Sequence, residues 1–458
     1  MLASSAFAPL RLLAAAAIAA LGALALVVAA PADRARAATN PDDTGVYATV
    51  DFFVYAEAGE EIRYDIEKVT GPGSATVVLD GPGVSSLCNL TLPGESCADQ
   101  FAVAQSGIWR IRYDTAGGIS ATTHSMVWDI EVLDPAPVPG RVWTEQYEMT
   151  NFELDEYESF DLWYLGEFGD LYAARYTDFN GVNSTFSASA VGLVPLAGGQ
   201  CTPTYRSSQR DGAQANPLDP TPALRPLTEG ECGGRYRIFF ENPDASMPPT
   251  TTRWDGTTTW LFPPVIDPLV TNLSYAATNP GSLAGVLAFD VTNFLGTLAI
   301  EIDANDDGDV TDPVDRVIPN FVSSFDPPTH QFAFDGLDGL GALLPPEVPI
   351  TMTVSIDRAG ELHFVNTDVE VRGGLQIEAL RGPAAGDARL YWDDSTFAGA
   401  PSVEKCSVTP LLDGSTGVDS SGGPLHGWGA CAPGAVDVEP TNFNNGSHGS
   451  WGDARHIH

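Results

Sequence analysis

GIWRIRYD, residues 107–114, alternates apolar and charged side chains without a break. Trp109, Ile111 and Tyr113 fall on one face and Arg110 and Arg112 on the other, the two-residue period of a strand buried on one side. VWDIEVL (127–133) and TLAIEID (297–303) repeat that period. In ITMTVSID (350–357), Ile350, Met352, Val354 and Ile356 share a face opposite Thr351, Thr353 and Ser355. Arg358-Ala359-Gly360 and then ELHFV (361–365) follow, and this pattern reads as a hairpin. Helical periodicity is almost absent after residue 37. Many short strands separated by Gly and Pro imply a mainly β chain made of several β-sandwich domains, Ig-like or jelly-roll-like.

Proline-rich stretches suggest the divisions. LDPAPVPG (133–140) would close a sandwich over 38–134, and FPPVIDPLV (262–270) would separate a β-rich region at 140–262 from a sandwich at 266–400. Residues 401–458 form a Gly/Ser-rich segment with few strand signals. Ahead of these lies LRLLAAAAIAALGALALVVAA (10–30), then PADRARA (31–37). One early arginine, an apolar run and a small-residue site at Ala35-Arg36-Ala37 describe a secretory signal helix at 1–37, cleaved near Ala37. The run is also long enough to cross a bilayer, so an uncleaved anchor is the alternative. No later apolar run approaches a membrane span.

Sixty Asp and Glu against 22 Lys and Arg give a formal charge of -38, and Lys68 and Lys405 are the only lysines. Such a surface repels phosphate backbones, which excludes nucleic acid as a natural partner. Six cysteines fall into three local pairs: Cys88 with Cys97, Cys201 with Cys232, and Cys406 with Cys431. In an exported chain, proximity favours disulfides closing surface loops.

The strand TLAIEID runs into the densest acidic stretch, EIDANDDGDVTDPVDR (301–316). Asp303-x-Asn305-x-Asp307-Gly308 is how oxygen-ligand calcium loops begin: side chains two apart on a tight turn converge, and glycine permits the bend. Asp309, Asp312 and Asp315 are candidates to complete the six to eight oxygens that Ca²⁺ takes. The twelfth position, where an EF-hand needs Glu, is Val314. A calcium loop between strands is therefore the expectation, with a solvated acidic turn as the alternative.

Other motifs are ambiguous. LYWDDSTF (390–397) places Trp392 beside Asp393 and Asp394, which could contact a glycan; alternatively Leu390 and Trp392 are core and the acids solvated. WTEQYEMTNFELDEYESFDLWYLGEFGDLYAARY (143–176) mixes aromatics with acids and admits the same two readings. VDSSGGPL (418–425) looks like a serine-protease nucleophile segment, but Ser420 stands where Asp is required, and the candidate base, His124, lies far upstream. His456 and His458 could pair on a metal or fray at the terminus. No H-E-x-x-H, G-x-S-x-G, Walker or dinucleotide fingerprint occurs.

GRYRIFFENPD (234–244), IEIDANDDGDVTDPVDRVIP (300–319), FDGLDGLG (334–341), GELHFVNTDVEVRGGLQIEALRGP (360–383), LYWDDS (390–395) and GVDSSGGPLHGWG (417–429) follow one another in that order. Together they resemble the N-terminal, non-repetitive region of large exported bacterial cell-surface proteins, adhesin-like and of the serine-aspartate or conserved-repeat type. The resemblance implies a module without catalytic residues, and its acidic calcium-type loop corresponds to Asp303–Asp315. SWGDARHIH (450–458) carries no anchor, so either a fragment or a released protein is expected. The reading is a secreted or cell-surface, calcium-stabilised, non-catalytic adhesin-like protein with a glycan or protein ligand. A secreted carbohydrate-binding or glycan-active protein is the alternative.

Overall fold

The computed structural model describes residues 49–70, 73–115, 125–151, 157–179, 184–195, 232–323, 326–356, 360–367, 371–393 and 414–427, with shorter pieces at 38–39, 44–45, parts of 201–209, 224–227 and 454–457. Every regular element among the described residues is a strand. None of them forms a helix long and apolar enough to cross a membrane. The expected leader lies outside the described residues, as do Cys406, Cys431, Asp394, His124 and His458.

The expected alternation is realised in Gly107–Thr115, where Trp109, Ile111 and Tyr113 are buried. That strand belongs to a nine-stranded sheet ordered Val371–Arg381, Leu171–Phe179, Glu158–Leu165, Arg237–Phe239, Val142–Thr144, Val50–Ala56, Gly107–Thr115, Ala75–Gly81, Val84–Leu90. One face packs against two further sheets. Near the N-terminal half these are Ser125–Asp134, Glu61–Thr70 and Ser96–Ala102. Further along are Tyr147–Asn151, Ser184–Ser189 and His363–Thr367. A single apolar core runs through both layers. Trp128 anchors it, with ring centroids 4.4 Å from Phe52 and 4.6 Å from Phe240. Truncating so large a buried aromatic costs about 3–5 kcal/mol.

The sheet does not stop at the proline-rich stretch 133–140. Val142–Thr144, just after it, pairs with Val50–Ala56 on one side and Arg237–Phe239 on the other. Proline removes a donor only where it stands, so the ladder resumes two residues later and the regions expected at 38–134 and 140–262 share one sheet. The region expected at 266–400 is also redrawn. Six strands between Leu269 and Ser355 form two three-stranded sheets packed face to face. The chain then returns to the body: His363–Thr367 pairs with Ser184–Ser189, and Val371–Arg381 with Leu171–Phe179. The sandwich is thus an insertion ending near residue 356.

The hairpin expected across Arg358-Ala359-Gly360 does not form, because its two arms belong to different sheets. Thr351–Ser355 pairs with Gly296–Asp303 inside the insertion. His363–Thr367 is a body strand whose His363, Phe364, Val365 and Asn366 are all buried. Two disulfides join Cys88 to Cys97 and Cys201 to Cys232, as proximity suggested.

Candidate functional site

The outer face of the nine-stranded sheet carries a cavity to which the 143–176 stretch contributes Trp143, Glu145 and Glu167. Phe53, Trp143, Leu165 and Phe239 project from it, on the opposite side from the main core. Residues 240–262 fold back over this face. Their base is held where Arg141 Nε donates to Asp244 Oδ2 at 2.6 Å and Gly140 N to Glu241 Oε2 at 2.9 Å. Their outer part is a hairpin, Thr250–Thr252 with Thr258–Trp260. Its turn is built locally: Asp255 Oδ1 accepts from Thr257 N at 2.9 Å and Thr257 Oγ1 at 2.5 Å, and Gly256 supplies φ +85°. Carboxylate side chains that bond the backbone two residues on, followed by glycine, suit such turns. Arg253 and Trp254 are thereby set over the sheet.

Between hairpin and sheet lies a cavity of about 770 Å³, within the size range of small-ligand sites. Arg110, Arg112, Arg235, Arg237 and Arg253 all line it, with Trp143, Trp254 and Trp260. Two arginines are neutralised: Arg110 meets Asp80 at 2.5 Å, and Arg112 makes two 2.6 Å bonds to Asp51. Arg235 donates to the Leu227 carbonyl. Arg237 is buried, 4 % exposed, with its guanidinium 4.8 Å from the Trp143 ring centroid and 3.7 Å from that of Trp260. It donates to Leu261 O at 3.3 Å and Thr259 Oγ1 at 3.5 Å, while its Nε has no acceptor. Burial draws its pKa down to about 9, opposed in part by Glu145, so it stays charged at neutral pH. Arg253 sits 4.4 Å from the Trp254 ring. Glu145, Glu167 and Asp255 supply acceptors in the same lining.

The acidic loop begins as expected where Gly296–Asp303 ends. Asp303 is buried and accepts from Asp307 N at 3.3 Å and Gly308 N at 2.8 Å. Asn305 Nδ2 donates to Asp307 Oδ2 at 2.9 Å and Asp312 Oδ2 at 3.4 Å, so these three side chains converge. Asp309 instead caps Thr311, with Oδ1 accepting from its N at 2.9 Å and Oγ1 at 2.8 Å. Asp315 is buried: Oδ1 accepts Ala304 N at 2.7 Å, and Oδ2 is enclosed without a hydrogen bond. No cluster of three or more His, Cys, Asp and Glu stands close enough, among the described residues, to hold a metal as placed. The donor set is all oxygen, the chemistry Ca²⁺ uses, and the orphaned Asp315 oxygen fits such an ion. Turning the Asn305 amide would present its oxygen to the same point.

Trp392 is 2 % exposed and stacks on His426 at 4.6 Å, so it is core and its ring faces are not open to a sugar. Asp393 lies beside it, partly buried. The 143–176 aromatics are also largely interior, with Trp143, Tyr147, Phe160, Tyr164 and Tyr176 buried. Ser420 is a buried brace: its Oγ donates to Ala388 O at 2.7 Å and accepts from Ile377 N at 3.0 Å. Of the aromatics in the 143–176 run only Trp143 lines the cavity, together with Glu145 and Glu167 from the same run; the arginines come from GIWRIRYD, GRYRIFF and the 253–260 hairpin. Two R-x-R pairs, each putting both arginines on one strand face, were the available signal in so acidic a chain. A scan against protein-family models finds no match to the chain, and no curated protein matches it.

Proposed function

We propose that this is an exported, non-catalytic, adhesin-like protein of the cell exterior that holds a saccharide in the cavity over the nine-stranded sheet, and that Ca²⁺ braces its inserted sandwich at Asp303–Asp315. One observation carries the binding reading: the cavity places guanidinium donors and carboxylate acceptors around a shared volume. A polyhydroxylated ligand uses both kinds of group. Binding rather than proton-transfer chemistry is supported by the identity of the cations, since guanidinium does not give up its proton at ordinary pH. The two disulfides suit an oxidising compartment. Residues Asp303, Asn305, Asp307, Asp312 and Asp315 would hold the ion, which would supply charge neutralisation to the loop and no reaction step.

The test is a glycan array probed with the chain from residue 38 onward, read again in solution by tryptophan fluorescence. Binding that quenches fluorescence and weakens about tenfold or more in Trp260→Ala is the expected result. An array with no binder, or binders indifferent to Trp260, would remove the proposal.

A further inference from the structure

We infer that the ligand of this cavity is an acidic saccharide, a sugar ring bearing a carboxylate or sulfate, whose anionic group is gripped by Arg237 and Arg253. The inference rests on the saccharide reading above and specifies its chemical class.

The distribution of charge is the first ground. The chain has 22 basic residues against 60 acidic ones, yet five arginines surround this one cavity. Scattering them over the surface would have neutralised more of the protein's own carboxylates. The second ground is which of them remain uncompensated. Arg110 and Arg112 are spent on Asp80 and Asp51. Arg237 and Arg253 make no close ion pair among the described residues; Glu145 and Asp255 act on them only through space. A buried guanidinium without a hydrogen-bonded carboxylate is costly, and the fold retains one here.

Its setting explains how. Trp143 and Trp260 hold the Arg237 guanidinium through their ring faces, a contact that orients a cation without cancelling its charge. Two of its five N–H groups have long bonds, to Leu261 O and Thr259 Oγ1. Its Nε has no acceptor, and a planar fork of donors matches a carboxylate or sulfate edge. Arg253 approaches from the hairpin. The third ground separates a sugar acid from a bare anion: Glu145, Glu167 and Asp255 line the same cavity, and carboxylates would repel an inorganic ion while accepting hydrogen bonds from ring hydroxyls. The overall charge of -38 adds that the ligand presents one acidic group at the site, not a dense polyanion, whose approach the whole protein would oppose.

Titration of the chain with a glucuronate-containing disaccharide, the same disaccharide with its carboxyl reduced to alcohol, sodium acetate and sodium sulfate tests this directly. The acidic disaccharide should bind about tenfold or more tighter than the reduced one. That preference should vanish in Arg253→Gln and in Arg237→Met, each checked for an intact melting transition; Arg253 lies at a hairpin tip, so its variant folds even should the other fail. Equal affinity for acidic and reduced disaccharides overturns the acidic class and leaves the saccharide reading standing. Acetate or sulfate binding with neither sugar bound overturns both, as does no binding at all.

Discussion

Arg237 and Trp260 face one another at 3.7 Å, guanidinium against indole, across the join between the sheet and the hairpin that covers it. The arginine is interior and has no carboxylate in hydrogen-bond contact, so it holds charge in a place where methylene and sulfur would be more stable. Arg237→Met should therefore raise the unfolding free energy from urea melts, by about 1–2 kcal/mol, while weakening ligand capture. An unfolding free energy that falls by that amount would mean that the guanidinium's contacts hold the hairpin down instead.

A second expectation concerns Asp170. This carboxyl is 5 % exposed, and burial pushes its pKa up to about 6, with Arg381 opposing. The folded state thus binds the proton more tightly than the unfolded chain. The resulting penalty is full above pH about 6 and fades as the pH falls toward the ordinary carboxyl value. Asp170→Asn should stabilise the protein at pH 7.5 by about 2 kcal/mol and have little effect at pH 4. Equal effects at both pH values in paired melts would refute the assignment.

Calcium linkage is measurable by melting with chelator. EDTA should lower the transition of the inserted sandwich, and excess calcium should restore it. At a free ion concentration one hundred times the dissociation constant, the stabilisation is about 2.7 kcal/mol. Asp303→Asn with Asp307→Asn should erase the response, and Asp315→Asn should diminish it. An identical melt with and without chelator sinks the claim.

The two disulfides close loops of different length, with sequence separations of 9 and 31. Loop-closure entropy assigns about 3 kcal/mol to Cys88–Cys97 and about 4 to Cys201–Cys232. Paired Cys→Ala variants compared by denaturant melts should show the second loss to be larger. The reverse order would point to strain or residual unfolded structure outweighing entropy.

How much of this was legible depends on distance along the chain. Alternation at Trp109, Ile111 and Tyr113 revealed the strand because period is a local property. The strand end at Asp303 was equally local. Pairing was not: Met352 and Phe364 looked like arms of one hairpin, yet their strands join Gly296–Asp303 and Ser184–Ser189. Trp392 could be core or contact from sequence, and only burial against His426 decided it. The cavity was least legible, since Arg112, Arg237 and Arg253 come from three separated segments that meet only after residues 240–262 fold over the sheet.

The inserted sandwich leaves and rejoins the body at one place. The carbonyls of Pro263 and Pro264 crowd Gly169, and Gly360, just ahead of the returning strand, crowds Asp170 next to it, each so closely that a Cβ would collide. Arg381 also donates to the Pro263 carbonyl. Parting the two ends of the insertion requires this clasp to open. Residues 269–355 are thereby a length of chain shut behind the knot at Gly169–Asp170.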